Sequence, residues 1–194
     1  MNILLLSDLH NVSNMELLVR LYRCYDIDMI LSLGDINEYQ LLTVRDMCMN
    51  IPIVGVLGNY DNFDTLEKAN VINVNLRTVT VNGIRITGIQ GCHKHKHANY
   101  PSYTQKESLD IVKNMEKSDI LICHFPPSDV HDSKTSPSNK GLLGINMYIK
   151  EFEPKYCIHG HMHKVSKSLY YNTIVIGVYG LQVLNYETGI VTVI

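Results

Sequence analysis

The chain opens on an apolar run at residues 2–7, and comparable runs return at 28–33 and 53–57. Runs of this length without polar interruption read as strands buried on both faces. Helical patterns lie between them. Ser13-Asn14-Met15-Glu16 has capping-box spacing: the Ser13 hydroxyl accepts from an early amide and Glu16 reaches back. A helix therefore follows to about Cys24. A second helix spans 38–49 and ends before Pro52. Strand, helix, strand, helix, strand predicts parallel pairing through right-handed crossovers.

The pattern then changes. Strands at 77–81 and 84–88 flank Asn82-Gly83, a strong hairpin signal. A polar stretch covers 91–103, and a second capping box at Thr104-Gln105-Lys106-Glu107 opens a helix to about Lys117. A strand at 119–123, a loop at 126–140 rich in Pro, Ser, Asp and Lys, and a helix at 141–151 come next. Short strands at 156–158, 165–171, 174–178, 182–186 and 190–194 finish the chain. No repeat or linker interrupts it. The expected architecture is one α/β domain over 1–194, parallel in its first half with an antiparallel close.

Composition narrows the function. Across 194 residues, 45% are hydrophobic and 19% charged, as in a soluble globular protein. The net charge of -2 argues against a general nucleic-acid binder. The apolar runs are far shorter than the ~20 residues a membrane span needs. Met1 leads straight into the first strand with no basic segment ahead of it, so no secretory signal is expected. Five cysteines, an odd number without CxxC spacing, fit a reducing cytoplasm; Cys123 and Cys157 stand in apolar runs and read as core thiols.

The chemistry-bearing residues stand just after strands, where open parallel sheets gather ligands. They are Asp8-Leu9-His10, Gly34-Asp35, Gly58-Asn59-Tyr60-Asp61, His124, and His159-Gly160-His161-Met162-His163. Carboxylate, imidazole and amide oxygen are ligands for Mn, Fe or Zn, whereas a thiolate set would suggest a structural zinc site. Alternation at Asp8-x-His10 and His161-x-His163 would send both side chains of each pair from one face of an extended segment. The glycines at 34, 58 and 160 would give the backbone room to turn sharply.

In this order the set resembles the calcineurin-like metallophosphoesterase superfamily, whose pattern runs D-x-H, GD, GN[H]D, H and GHxH. Ile122-Cys123-His124-Phe125-Pro126-Pro127 and Glu153-Pro154 are similar to its small prokaryotic branch. The resemblance implies two packed mixed β-sheets flanked by helices, an α/β/β/α sandwich. It also implies that Asp8, His10, Asp35 and His163 hold one divalent ion, and that Asp35, Asn59, His124 and His161 hold a second, with Asp35 bridging. Manganese is the first choice, with iron, zinc, nickel or magnesium as alternatives. Two ions ~3.5–4 Å apart can activate a bridging hydroxide and steady a leaving oxygen.

One position departs from that pattern. The histidine usual after Gly-Asn is Tyr60, whereas Asp61, which in the family orients that histidine, is present. Tyrosine, with an ordinary pKa near ~10, donates a hydrogen bond at pH 7 but brings no positive charge. The resemblance then favours phosphodiesters, so Asp35, Asn59, Tyr60 and Asp61 form the expected catalytic group. The tract His93-Lys94-His95-Lys96-His97 reads first as a solvated loop, with Lys94, His95 and His97 as candidate substrate contacts. His131 and Lys134 are weaker candidates. One of the twelve tyrosines, Tyr39 and Tyr100 among them, could stack on a nucleobase.

The leading expectation is a binuclear phosphodiesterase acting on small diesters such as cyclic nucleotides. The alternatives are a phosphomonoesterase, a non-catalytic scaffold like the retromer subunit of this fold, and a DNA-repair nuclease. The nuclease lacks support from length or charge. The expected partner is a small phosphoester, with neither membrane nor general nucleic-acid binding, and the sequence is compatible with a monomer or a homo-oligomer.

Overall fold

Along β1 (Asn2–Ser7) successive side chains point to opposite faces of a sheet, and both faces are covered. Ile3 and Leu5 meet a second sheet, while Leu4 and Leu6 meet helices. This explains the unbroken apolar run. The structure, a computed structural model, describes residues 1–9, 25–94 and 100–193. The helix expected after Ser13 lies outside those residues.

The first sheet contains β1, β2 (Ile27–Ser32), β3 (Ile53–Gly55), β4 (Ile72–Asn73), β13 (Gly180–Asn185) and β14 (Val191–Val193). Its order is β14-β13-β1-β2-β3-β4, with β1 to β4 parallel and β13 and β14 antiparallel. The second sheet contains β5 (Val79–Val81), β6 (Ile84–Ile89), β9 (Ile120–Cys123), β10 (Tyr156–His159), β11 (Ser166–Tyr170) and β12 (Thr173–Gly177). Its order is β11-β12-β10-β9-β6-β5. A two-stranded ribbon, β7 (Cys92–His93) with β8 (Ser102–Tyr103), stands apart.

The sheets pack face to face through Leu5, Leu31, Val56, Ile86, Ile122 and Ile158. Helices cover the outer faces. Leu41 and Val44 of α1 (Glu38–Met47) pack on the first sheet. Val112 of α3 (Gln105–Val112), together with Ile145 and Ile149 of α4 (Leu143–Phe152), packs on the second. The result is the expected α/β/β/α sandwich. Truncating one of these buried leucines to alanine would cost about 2–5 kcal/mol.

Several expectations need correction. The second half does not simply close antiparallel: β6, β9, β10 and β12 run parallel, and antiparallel pairs occupy the edges. The reason is that α3 and α4 serve as crossovers between β6, β9 and β10. Both halves thus gather strand carboxyl ends. The four-residue α2 (Thr65–Lys68) and two-residue β4 were not anticipated, being too short to carry periodicity. The Thr104 capping box is present, with Thr104 accepting from Glu107 N–H and Glu107 from Thr104 N–H. The helix nevertheless stops at Val112 rather than near Lys117, because short turns take over at Asn114 and Met115. Cys48, Cys92, Cys123 and Cys157 are buried free thiols. Among the described residues no helix is long and apolar enough to cross a membrane.

Candidate metal centre

The carboxyl ends of β1, β2 and β3 in one sheet face those of β9 and β10 in the other. From the first sheet come Asp8, Asp35 and Asn59; from the second, His124, His161 and His163. Asp35, His124 and His161 each offer a ligand atom within 4.8 Å of the others. His124 Nε2 stands 3.4 Å from Asp35 Oδ2 and 3.0 Å from Asn59 Oδ1. His163 Nε2 stands 3.2 Å from Asp8 Oδ1. His10 lies outside the described residues, as do His95 and His97.

Neighbouring groups aim these side chains. His124 Nδ1 donates to the Leu33 carbonyl at 2.8 Å, which turns Nε2 toward Asp35 and Asn59. His161 Nε2 lies 3.2 Å from the Ser138 carbonyl and 3.2 Å from Asn139 Oδ1, so Nδ1 is the atom it could offer a cation. Phe125 stacks on the His161 ring at 3.9 Å and Tyr179 on the His163 ring at 5.1 Å. Asp8 Oδ2 accepts from the Ser7 hydroxyl at 2.6 Å and from His161 N–H at 2.9 Å. Sequence reasoning missed Ser7, Leu33, Phe125, Ser138, Asn139 and Tyr179. Ser7 acts on its chain neighbour Asp8 and Phe125 stands in the motif around His124, whereas Leu33, Ser138, Asn139 and Tyr179 act across tertiary contacts and carry no local signature.

The backbone here is not extended, which corrects the alternation argument. Asp8, Asp35, His161 and His163 have φ of 56°, 55°, 64° and 49°. Left-handed conformations at non-glycine residues cost roughly 1–3 kcal/mol and cluster at functional sites. The glycines also divide by role. Gly34 has φ 93° and turns the chain. Gly58 and Gly160 serve close approach: a Cβ at Gly58 would stand 2.0 Å from Asp35 Oδ1, and one at Gly160 1.9 Å from Ser7 Oγ.

Asp61 does a different job from the one its neighbour suggested. Its carboxylate accepts from Asp35 N–H at 2.9 Å, Ile36 N–H at 3.0 Å and Gly58 N–H at 2.7 Å. It thereby ties the turn after β2 to the turn after β3. Tyr60 N–H donates to Asp35 Oδ1 at 2.8 Å, and the residue is 79% exposed at the cavity mouth. That cavity holds about 540 Å³ and is lined by Asp35, Asn59, His161 and His163 as well as Tyr60.

Electrostatics follow from this packing. Burial raises the Asp35 pKa, but His124 beside it outweighs burial and holds the carboxyl below its ordinary range. Burial opposes charge on His124, yet the Asp35 and Asp8 carboxylates lift it to about 9. Burial and the His124 charge push His161 down to about 3. These opposed imidazoles sit 5.2 Å apart.

The donor set fits divalent cations. Asp8 Oδ1 and Asp35 Oδ2 are buried, face imidazole nitrogens at ion-pair distance, and make no hydrogen bond among the described residues. Orphaned buried carboxylate oxygens are costly unless a cation meets them. His124, its pKa raised to about 9, directs an Nε2 proton at Asp35 Oδ2 and Asn59 Oδ1, and a divalent cation would take that proton's place among the same three atoms.

A family model for the calcineurin-like phosphoesterase superfamily domain matches residues 1–180. The chain belongs to that superfamily. Its members are hydrolytic, metal-dependent phosphoesterases. Solved structures agree on the fold. The protein TT1561 of Thermus thermophilus superposes with a TM-score of 0.71 at 15% identity, covering 98% of this chain and 96% of its own. An archaeal phosphodiesterase gives 0.60 at 15% identity, covering 99% and 98%. The phosphopantetheinyl hydrolase of Mycobacterium tuberculosis gives 0.62 at 12% identity, covering 92% and 89%. No curated protein matches the chain.

The remaining candidates fall elsewhere. His131 Nδ1 meets His159 Nε2 and Ser166 Oγ, each at 2.9 Å, while its Nε2 meets Ser168 Oγ at 2.9 Å. These contacts anchor the 126–140 loop. Lys134 is exposed and pairs with Asp129 at 3.9 Å. Lys94 is exposed, and its N–H donates to the Tyr103 carbonyl at 2.8 Å in line with the ribbon.

Proposed function

We propose that this chain is a binuclear metal-dependent phosphodiesterase, acting on small diesters in a reducing cytoplasm. The observation that carries the reading is the pair of orphaned carboxylate oxygens on Asp8 and Asp35 beside the three imidazoles. Asp8, His10, Asp35 and His163 would hold one ion; Asp35, Asn59, His124 and His161 would hold the other. Manganese suits this mixed oxygen and imidazole set. When bound, such a pair polarises phosphoryl oxygens and lowers the pKa of a coordinated water.

The chain's own residues do the rest. Asp61 fixes Asp35 and Gly58 so that the ligand atoms converge. Phe125 and Tyr179 hold the His161 and His163 rings. Tyr60 stands at the mouth, where its phenol can donate a hydrogen bond to the ester. A monoester is dianionic near neutral pH and gains most from an added cation; a diester has one negative charge and needs it less. Tyr60 thus biases the site toward diesters, the class named for the similar archaeal structure. The complete ligand set favours an enzyme over a scaffold.

The test is metal content and ester preference together. After reconstitution with Mn²⁺, two equivalents per chain are expected, with higher kcat/KM for an aryl diester than for its matching monoester. One equivalent or fewer, with all ligands intact, would sink the binuclear reading. A clear monoester preference would replace the substrate class.

A further inference from the structure

Resting on the diesterase reading, we infer that Tyr60 and Tyr100 form an aromatic wall for a planar substituent of the ester, so that the substrate is a nucleotide rather than an aliphatic diester. Both tyrosines line the 540 Å³ cavity above the candidate metal centre. That volume lies within the range of sites for whole small molecules and exceeds what a bare phosphate fills.

The two rings come from segments 40 residues apart, yet one short backbone path ties those segments together. Leu57, three residues before Tyr60, accepts from Gly91 N–H at 2.7 Å. Gly91 in turn lies so near Pro101 that a Cβ on it would stand 2.1 Å from the Pro101 carbonyl oxygen, which accepts from Cys92 N–H at 3.1 Å. Pro101 immediately follows Tyr100. Tyr100 is half-buried beside the buried Cys92 thiol. Segments tied together in advance, and a half-buried Tyr100 ring, lose less freedom when a ligand arrives.

The wall's chemistry suits a base. Burial, Cys92 and nearby Tyr60 all raise the Tyr100 pKa, so its ring stays neutral beside an anionic ester. Ser138 and Asn139 line the same cavity and supply hydroxyl and carboxamide groups of the kind that read a sugar or a base edge. Base-on-aromatic stacking is worth roughly 5- to 150-fold in affinity per base.

The experiment compares ligands that differ by the base. With Mn²⁺-loaded protein, calorimetry measures Kd for adenosine 5′-monophosphate and for ribose 5-phosphate. The nucleotide should bind at least 10-fold tighter. Tyr100→Ala should cut that ratio about 5-fold or more, and Tyr100→Phe should keep it within about twofold. Equal affinities in the wild type, or a ratio that Tyr100→Ala leaves intact, would overturn the aromatic wall. In parallel, kcat/KM is measured for adenosine 2′,3′-cyclic phosphate and glycerol 1,2-cyclic phosphate, with the nucleotide again expected to lead and Tyr100→Ala to narrow the gap. If neither cyclic ester is opened, the diesterase reading falls, while the Kd comparison still decides the wall.

Discussion

Around Asp35, at the cavity floor, the neighbouring backbone amides are engaged: Asp61 takes three of them, and Asp35 Oδ1 takes that of Tyr60. Asp8, Asp35 and His124 are buried and Asn59 and His161 half-buried, with His163 more exposed, and four of these six hold left-handed backbone. At the rim, one residue after Asn59, Tyr60 is 79% exposed. The floor is over-determined because two carboxylates and three imidazoles repel or desolvate each other unless geometry is enforced. The rim has no such demand, and its side chains can change without unfolding the site. In the proposed enzyme the floor sets the reaction and the rim sets which ester enters.

The strongest way to break this contrast is Asp35→Asn. It weakens both proposed ion sites at once. Replacing a residue that merely supports a ligand costs 10–100-fold, so this substitution should lower kcat/KM by more than ~100-fold in saturating Mn²⁺. Steady-state kinetics with metal analysis would check it, and wild-type turnover would remove Asp35 from the bridging position.

Asp61→Asn should be next. The buried clamp would present an amide group to a backbone N–H, at about 1–3 kcal/mol in stability. Activity should fall roughly 10–100-fold through misplaced ligands, with partial rescue by excess Mn²⁺. Denaturant unfolding and a metal titration measure the two effects; a loss that Mn²⁺ cannot relieve, with stability unchanged, would instead indicate direct contact with substrate.

The smallest effects belong to the rim. Tyr60→Phe should reduce diesterase kcat/KM only a few-fold, whereas Tyr60→His should raise monoesterase activity, since general-acid help is typically worth ~10²–10⁴. Melting temperatures should stay near wild type in both. A large loss of stability in Tyr60→Phe would place Tyr60 with the floor and erase the contrast.

The sequence by itself determined the strand and helix alternation of the first half and the donor types, and through its ordered motifs the resemblance that implied the sandwich. Short continuous apolar runs bounded by turn residues read as doubly buried strands, and Asp8, Asp35, Asn59, His124, His161 and His163 stand within a few residues after them. The chain path therefore carried each to a strand's carboxyl end. Only the tertiary structure decided how they meet. That β6, β9, β10 and β12 run parallel is invisible locally, because short strands pair by what the crossovers permit. The same holds for the Asp61 clamp, the Leu33 carbonyl on His124, and the approach of Tyr100 to the Tyr60 segment. Each joins residues 25 or more positions apart. Local pattern records which face is apolar and which turn is tight; a hydrogen bond between two loops exists only once both sheets have packed and brought the loops together.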